Sequence, residues 1–302
     1  MIPEAAKRRF LNAGYRIVGR HSAVEVCHWT KEKLRRGREC YKERWYGIQS
    51  HRCMEMTPAL IWCTHKCQFC WRPLEYTVSG EPEADDPEEI IDGCIRARHS
   101  LLTGFKGNPN VKKNMWEEAI KPTNAAISLA GEPTLYPKIS ELIEEFHKRE
   151  ITTFLVTNGT RPDRLQTLKR EPTTLYISLC APDRKTYLQV NRPLANKGWE
   201  RINESLKLMK SFNCRKVLRL TLANGLNLKH PEKYANLILK AEPDYIETKG
   251  FMHVGEAQDR LPRAAMPTFQ EILEFTQRLS NHTNYKFQDH STQSRVTLLS
   301  KN

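Results

Sequence analysis

The chain has 302 residues, long enough for one large domain or two small ones with a sizeable core. It carries 48 basic against 35 acidic side chains, a net charge of +13. Such a balance points to a nucleic-acid partner through phosphate neutralisation, or else to a generally basic surface. There is no apolar run of 18 or more residues, and the opening MIPEAAKRRF lacks the apolar segment of a secretion signal, so we expect no membrane span and a cytoplasmic protein. Nine cysteines in that setting suit metal or cluster ligation better than disulfides.

In chain order, residues 1–54 form an extension unlike the rest. A helix is expected over 3–12, with Pro3 tolerated in its first turn. Cys27, Cys40 and Cys53 follow at C-x12-C-x12-C spacing. They serve either as ligands of one site or as buried apolar residues. Segment 31–44 holds seven cations and three carboxylates, flanked or interleaved by Trp29, Tyr41, Trp45 and Tyr46. Cations among aromatics suit single-stranded or loop RNA, the alternative being a solvated helix face.

A strand is expected over 56–62, ending in Ala59-Leu60-Ile61-Trp62. Directly after it stand Cys63, Cys67 and Cys70, spaced C-x3-C-x2-C. Closely spaced thiolates on a loop can converge on one face of an iron–sulfur cube, and three ligands for four irons leave one iron open for chemistry. The competing readings are a zinc site completed by His65, and a disulfide pair with one core cysteine.

Beyond the loop, Asp86 caps a helix running to about 102, with Pro87 in its first turn and Glu88 and Glu89 favouring its dipole. Ile91, Cys94, Ile95 and Arg98 lie at helical spacing, so Cys94 reads as core, and 104–113 reads as a polar, basic loop. Further strands are expected at 124–130, 152–157, 174–179, 216–222 and 245–248. Helices are expected at 137–149, 162–169, 197–212, 230–240 and 268–280, with a last strand at 294–299. Strands alternating with helices imply parallel pairing through right-handed crossovers. Six such units give an α/β fold, an incomplete (βα)6 TIM barrel. Its domains would be the 1–54 extension, the 55–290 barrel and a 291–302 tail. In a parallel barrel the reactive groups sit at the C-terminal strand ends.

The Cys63–Cys70 spacing, Phe69 before the third cysteine and the preceding strand resemble the radical SAM superfamily. That resemblance implies a [4Fe–4S] cluster on Cys63, Cys67 and Cys70 whose open iron binds S-adenosylmethionine, with one electron cleaving the sulfonium. Ala130-Gly131-Glu132-Pro133 looks like the superfamily's Gly-Gly-Glu-Pro motif, with Ala130 in place of the first glycine. By that likeness Gly131 and Glu132 would hold the methionyl amino group. Thr157 and Asn158 would contact the methionyl and ribose parts, Ser178 would be a ribose ligand, and backbone of 252–254 would meet the adenine. Cys180 would pack in the barrel.

The three N-terminal cysteines, the loop 63–73, the stretch 129–136 and the segment 251–255 together resemble, more narrowly, the 4-demethylwyosine synthases of the wybutosine pathway of tRNA. This likeness covers essentially the whole chain. It implies phenylalanine tRNA carrying 1-methylguanosine at position 37, bound by its anticodon arm, and pyruvate as two-carbon donor. It also implies a second [4Fe–4S] cluster on Cys27, Cys40 and Cys53, and Lys42 as a Schiff-base lysine. Longer family members carry a flavodoxin-like domain that this sequence lacks, so a separate electron donor is expected, and the protein is expected to be a monomer. The rival readings are another auxiliary-cluster radical SAM enzyme acting on a peptide or small metabolite, and a zinc-dependent RNA-binding protein.

Overall fold

The protein is described by a computed structural model covering residues 1–301. It divides into two compact units.

The first unit comprises residues 1–63, 80–156 and 168–173. Helix α1 (Glu4–Asn12) buries Ala6 and Phe10. A hairpin of β1 (Arg16–Val18) and β2 (Ser22–Glu25) follows, then α2 (His28–Arg36) and α3 (Tyr41–Tyr46). Strand β3 (Cys53–Thr57) pairs antiparallel with β2 and parallel with β4 (Asn124–Ile127), which pairs parallel with β5 (Thr152–Thr157). Helix α4 (Pro87–Thr103) starts as expected: Asp86 accepts a hydrogen bond from the Glu88 amide at 3.0 Å, and Pro87 needs no partner in the first turn. Its buried face includes Ile90, Ile91, Cys94, Arg98 and Leu102. Leu102 joins Val26 and Leu34 of the extension and Trp116 and Ala119 of α5 (Lys113–Ala119) in one apolar cluster, so burial of shared apolar surface holds the extension on this unit. Helix α6 (Ile139–Lys148) buries Leu142, Ile143 and Phe146.

The second unit comprises residues 64–79, 157–167 and everything described from Thr174 on. After α7 (Pro162–Gln166) come β6 (Thr174–Ser178), α8 (Arg184–Asn191) and α9 (Gly198–Met209). Then follow β7 (Arg215–Leu222), α10 (Pro231–Ala241), β8 (Tyr245–Gly250) and α11 (Phe269–Asn281). Strands β6, β7 and β8 are parallel. Strands β9 (Tyr285–Ser291) and β10 (Val296–Lys301) close the unit as an antiparallel hairpin, with β10 against β8. Thr268 and Glu271 form a reciprocal capping box that starts α11.

The structure corrects several boundaries. The first parallel strand is 53–57, not 56–62. Pro58 cannot donate to a ladder, and the amides of Ala59 and Leu60 turn to Thr57 Oγ1 (3.0 Å) and the His21 carbonyl (2.9 Å). Helices α5 and α8 and strand β9 had no strong periodic signal. Asp183, accepting from the Thr186 amide at 2.9 Å, is the cap that marks α8 in retrospect. Among the described residues no helix is long and apolar enough to cross a membrane.

Candidate active site

Cys27, Cys40 and Cys53 all belong to the first unit. Cys27 is the N-cap of α2, and its sulfur accepts from the Thr30 amide at 3.4 Å. Cys40 is the N-cap of α3, and its amide donates to Ser50 Oγ at 2.9 Å. Cys53 opens β3, and its sulfur accepts from Asn124 Nδ2 at 3.2 Å. Ser50 links the set: its carbonyl accepts from Thr30 Oγ1 (2.8 Å), its amide and hydroxyl donate to Glu43 (2.9 and 2.6 Å), and it precedes Cys53 by three residues. Burial, with the neighbouring Glu55 and Cys53 adding to it, pushes the Cys27 thiol up to about 12. Burial likewise pushes Cys53 up to about 11, against the opposing field of the Lys42 ammonium. Buried thiols of this kind stay protonated until a metal takes the proton's place, and coordination removes it outright.

Lys42 Nζ stands 4.8 Å above the Phe154 ring. The sequence-predicted lysine is therefore in electrostatic reach of Cys53, with an aromatic face beneath it.

In the C-x3-C-x2-C loop, Cys63 ends the first stretch of the first unit, and Cys67 and Cys70 belong to the second. Asn191, at the end of α8, directs Nδ2 at Cys67 Sγ, 3.5 Å away. The Gln68 and Lys66 amides donate to the carbonyls of Val190 (2.9 Å) and Asn191 (3.1 Å). Phe69 packs on the cluster of Val190, Leu226, Phe251 and Leu261, so the aromatic before the third cysteine is the loop's apolar anchor. His65 is buried and bonded to the Tyr187 hydroxyl at 2.8 Å, and burial lowers it to about 3. Its Nε2 is engaged with the Tyr187 hydroxyl.

Among the described residues the cysteines form no disulfide, and no three His, Cys, Asp or Glu side chains converge on a single-ion site. A cube distributes its thiolates over separate irons, so convergence on one point is not what a cluster requires. The donor chemistry suits iron–sulfur ligation: each set offers three cysteines, and Cys27, Cys53 and Cys67 each face an N–H donor that would stabilise thiolate charge.

The expected S-adenosylmethionine contacts lie at or just beyond the C-terminal ends of β4, β5 and β6. Gly131 has φ +71, and a Cβ there would fall 1.7 Å from the Ala59 carbonyl oxygen, so only glycine fits. The Glu132 amide donates to the Trp62 carbonyl at 2.8 Å, and its buried carboxylate accepts from the Thr134 amide and hydroxyl at 3.1 and 2.6 Å. The motif thus braces the entry to the cysteine loop. Thr157 is buried and accepts from the Gly159 amide at 3.1 Å. Asn158 donates to Thr64 Oγ1 at 2.9 Å and accepts from the Thr160 amide and hydroxyl, so it fixes the residue after Cys63. Ser178 ends β6, opposite Arg219 of β7.

Beside Ser178, Arg219 joins two partners that the sequence did not connect to it. Buried Glu247 on β8 accepts from Arg219 at 2.9 Å and from the Tyr176 hydroxyl at 2.9 Å, and Arg219 lies 4.5 Å over the Tyr176 ring. The residue types sit on separate strands, and only parallel pairing joins them. Arg260 is likewise tied to the cysteine loop by contacts that its place in the sequence does not show. Its Nε donates to the Gln68 carbonyl at 3.2 Å and its Nη2 to that of Cys70, so it is committed to the loop.

The basic segment 31–44 is more self-neutralised than its composition implies. Lys33 pairs with Glu43 and Glu39, Lys31 with Glu25, and both Arg36 and Arg38 with Glu32. Arg35 lies over the Phe105 ring at 4.8 Å.

A parallel βα frame with a three-cysteine loop after its first parallel strand defines a radical SAM enzyme, whose family character implies S-adenosylmethionine and a [4Fe–4S] cluster. The family model for the radical SAM superfamily matches residues 59–238, and that for wyosine base formation matches 240–301. The chain is 51% identical over 304 residues to the S-adenosyl-L-methionine-dependent tRNA 4-demethylwyosine synthase of Pyrococcus abyssi, covering 99% of this chain and 89% of that protein. It is 42% identical over 270 residues to the enzyme of that name from Oryza sativa subsp. japonica, covering 88% of this chain and 41% of that protein. A solved structure of TYW1 with a lysine-pyruvate adduct bound superposes with TM-score 0.92 at 38% identity, over 100% of this chain and 97% of that one. A radical SAM methyltransferase from Sphaerobacter thermophilus, 16% identical with TM-score 0.54 over 76% of this chain and 64% of that one, shares the fold alone. The chain belongs to the family of S-adenosyl-L-methionine-dependent tRNA 4-demethylwyosine synthases.

Proposed function

We propose that this enzyme converts 1-methylguanosine-37 of phenylalanine tRNA to 4-demethylwyosine, with pyruvate supplying two carbons of the new ring. The observation that carries the reading is Lys42, set over Phe154 and acting on Cys53 of the three-cysteine group. A relative of almost superposable structure holds a lysine-pyruvate adduct.

In this reading Cys63, Cys67 and Cys70 hold the cluster that binds S-adenosylmethionine, and Cys27, Cys40 and Cys53 hold a second [4Fe–4S] cluster. When bound, the first cluster and S-adenosylmethionine supply a radical able to take a hydrogen atom from a methyl group. The residues of the chain do the rest. Gly131 and Glu132 receive the methionyl amino group, and Thr157, Asn158 and Ser178 border the methionyl and ribose parts. Lys42, once its ammonium has lost a proton, attacks the C2 carbonyl of pyruvate. The C2–N bond forms, the carbonyl oxygen leaves as water, and pyruvate is tethered in one orientation. The Phe154 face beneath the amine excludes water from one side of that imine. A guanine of an anticodon loop is already largely unpaired and costs little to turn into a closed pocket.

Borohydride treatment with pyruvate tests the tether directly. The reduced adduct should add mass at Lys42 in the wild type, and Lys42→Ala should neither gain mass nor make the tricyclic base from methylated tRNA. Full turnover by Lys42→Ala would leave pyruvate anchored by other groups and remove the lysine from the chemistry.

A further inference from the structure

Arg98 is one of the largest fully buried side chains of the protein, 1% exposed. It sits in α4, on the face turned to the start of β3. Nη2 donates to the carbonyls of His51 (2.8 Å) and Cys53 (3.3 Å), Nη1 donates to that of Ala119, and Nε is buried with no partner. No carboxylate of the described residues forms an ion pair with it. A guanidinium removed from water without a counter-charge is costly, and neutral carbonyls offset only part of that cost. Among its contacts Cys53 is a member of the three-cysteine group, so the guanidinium stands against the backbone of that site.

We propose that Arg98 is the built-in counter-charge of the second cluster site. This inference rests on the reading that Cys27, Cys40 and Cys53 hold a cluster. Three thiolates outweigh the charge of an oxidised cube, and reduction adds a further negative charge, so a fixed cation against the Cys53 backbone favours the reduced form. The burial of an unpaired arginine, awkward in a folding enzyme, becomes an asset once the site is filled. Arg98 acts through the ligands and touches no substrate; it is a positioning and potential-setting residue.

The test uses the full chain with Cys63, Cys67 and Cys70 changed to alanine, so that any cluster present is the second one. Iron per chain, the midpoint potential from electron paramagnetic resonance titration, and thermal unfolding are compared for this parent, Arg98→Lys and Arg98→Gln. At a fixed potential, Arg98→Gln should lower the ratio of reduced to oxidised cluster about tenfold, a midpoint 59 mV more negative for one electron. Arg98→Lys, which keeps the charge but loses the fork, should stay near the parent even where its unfolding temperature drops. If Arg98→Gln retains iron with an unshifted midpoint, or if both variants lose iron equally, Arg98 is only a brace for three carbonyls and the proposal falls. Should glutamine lose iron that lysine keeps, charge is again the deciding property and the proposal stands. A parent that binds no iron would defeat the second-cluster reading itself, and this inference with it.

Discussion

Arg260 donates through Nη2 to the carbonyl of Cys70, pinning the third cysteine of the loop from a segment almost two hundred residues further along the chain. The same side chain holds the Gln68 carbonyl, so two loop carbonyls share one cation. Hydrogen bonds from a charged donor are worth about 1.5–3 kcal/mol each. Arg260→Ala should therefore loosen the loop and lower the iron retained there. Iron analysis after anaerobic reconstitution, with the N-terminal cysteines replaced, reads this out, and undiminished iron would make the contact incidental.

Cys67→Ala should abolish 5′-deoxyadenosine formation even without tRNA, because the loop can no longer present an open iron to S-adenosylmethionine. Chromatography of the reaction with dithionite checks it. Wild-type cleavage by this variant would remove Cys67 from the ligand set. The triple change of Cys27, Cys40 and Cys53 to alanine should instead lose about half the iron, keep measurable cofactor cleavage and yield no tricyclic base.

Gly131→Ala meets the Ala59 carbonyl at 1.7 Å and that of Trp62 at 2.8 Å, at a φ of +71 that side chains rarely adopt. Backbone strain alone costs about 1–3 kcal/mol, and the clash adds to it by displacing the strand-to-loop turn that leads to Cys63. We expect a lower unfolding temperature and weaker S-adenosylmethionine binding by calorimetry. A variant with native stability and affinity would show that residues 59–62 yield without effect.

Glu32 is 8% exposed and takes both Arg36 and Arg38, so it holds two cations of the basic segment in check. If that segment grips tRNA, Glu32→Gln should tighten binding. Neutralising Arg36 and Arg38 should lower the slope of log affinity against log salt by roughly 1–2 units, at about 0.7–0.9 per phosphate. The change should be the same for methylated and unmethylated tRNA, since phosphate contacts carry no base information. An unaltered slope would assign these arginines to the fold alone.

His21 is buried, accepts from the Asp85 amide at Nε2 (2.9 Å) and contacts the Pro58 carbonyl at Nδ1 (2.6 Å), so it is neutral with the proton on Nδ1. Burial holds it below the ordinary histidine range. The unfolded chain thus binds a proton near pH 6.5 that the folded chain refuses, and stability falls as pH drops below that value. Denaturation midpoints of wild type and His21→Asn between pH 7 and 5 should converge toward the acid end. Parallel curves would exclude His21 as a source of the pH dependence.

The alternation of apolar strands and capped helices was legible because each depends on neighbours in sequence: Asp86 before Pro87, and Thr268 with Glu271, mark helix starts by local hydrogen bonds. The cysteine loop was legible for the same reason, its three cysteines lying within eight residues. Strand ends were less so, because Pro58 and the turn of Ala59 and Leu60 toward His21 depend on a hairpin that local pattern did not reveal. The composition of 31–44 showed many cations, but only folding paired Lys33 with Glu43 and laid Arg35 on Phe105. Arg98, Arg219 with Glu247, and Arg260 are decided by tertiary structure alone. A charge's partner depends on which distant carbonyls, carboxylates or thiols the packed chain brings to it, and the low dielectric around a buried group makes that choice costly to get wrong.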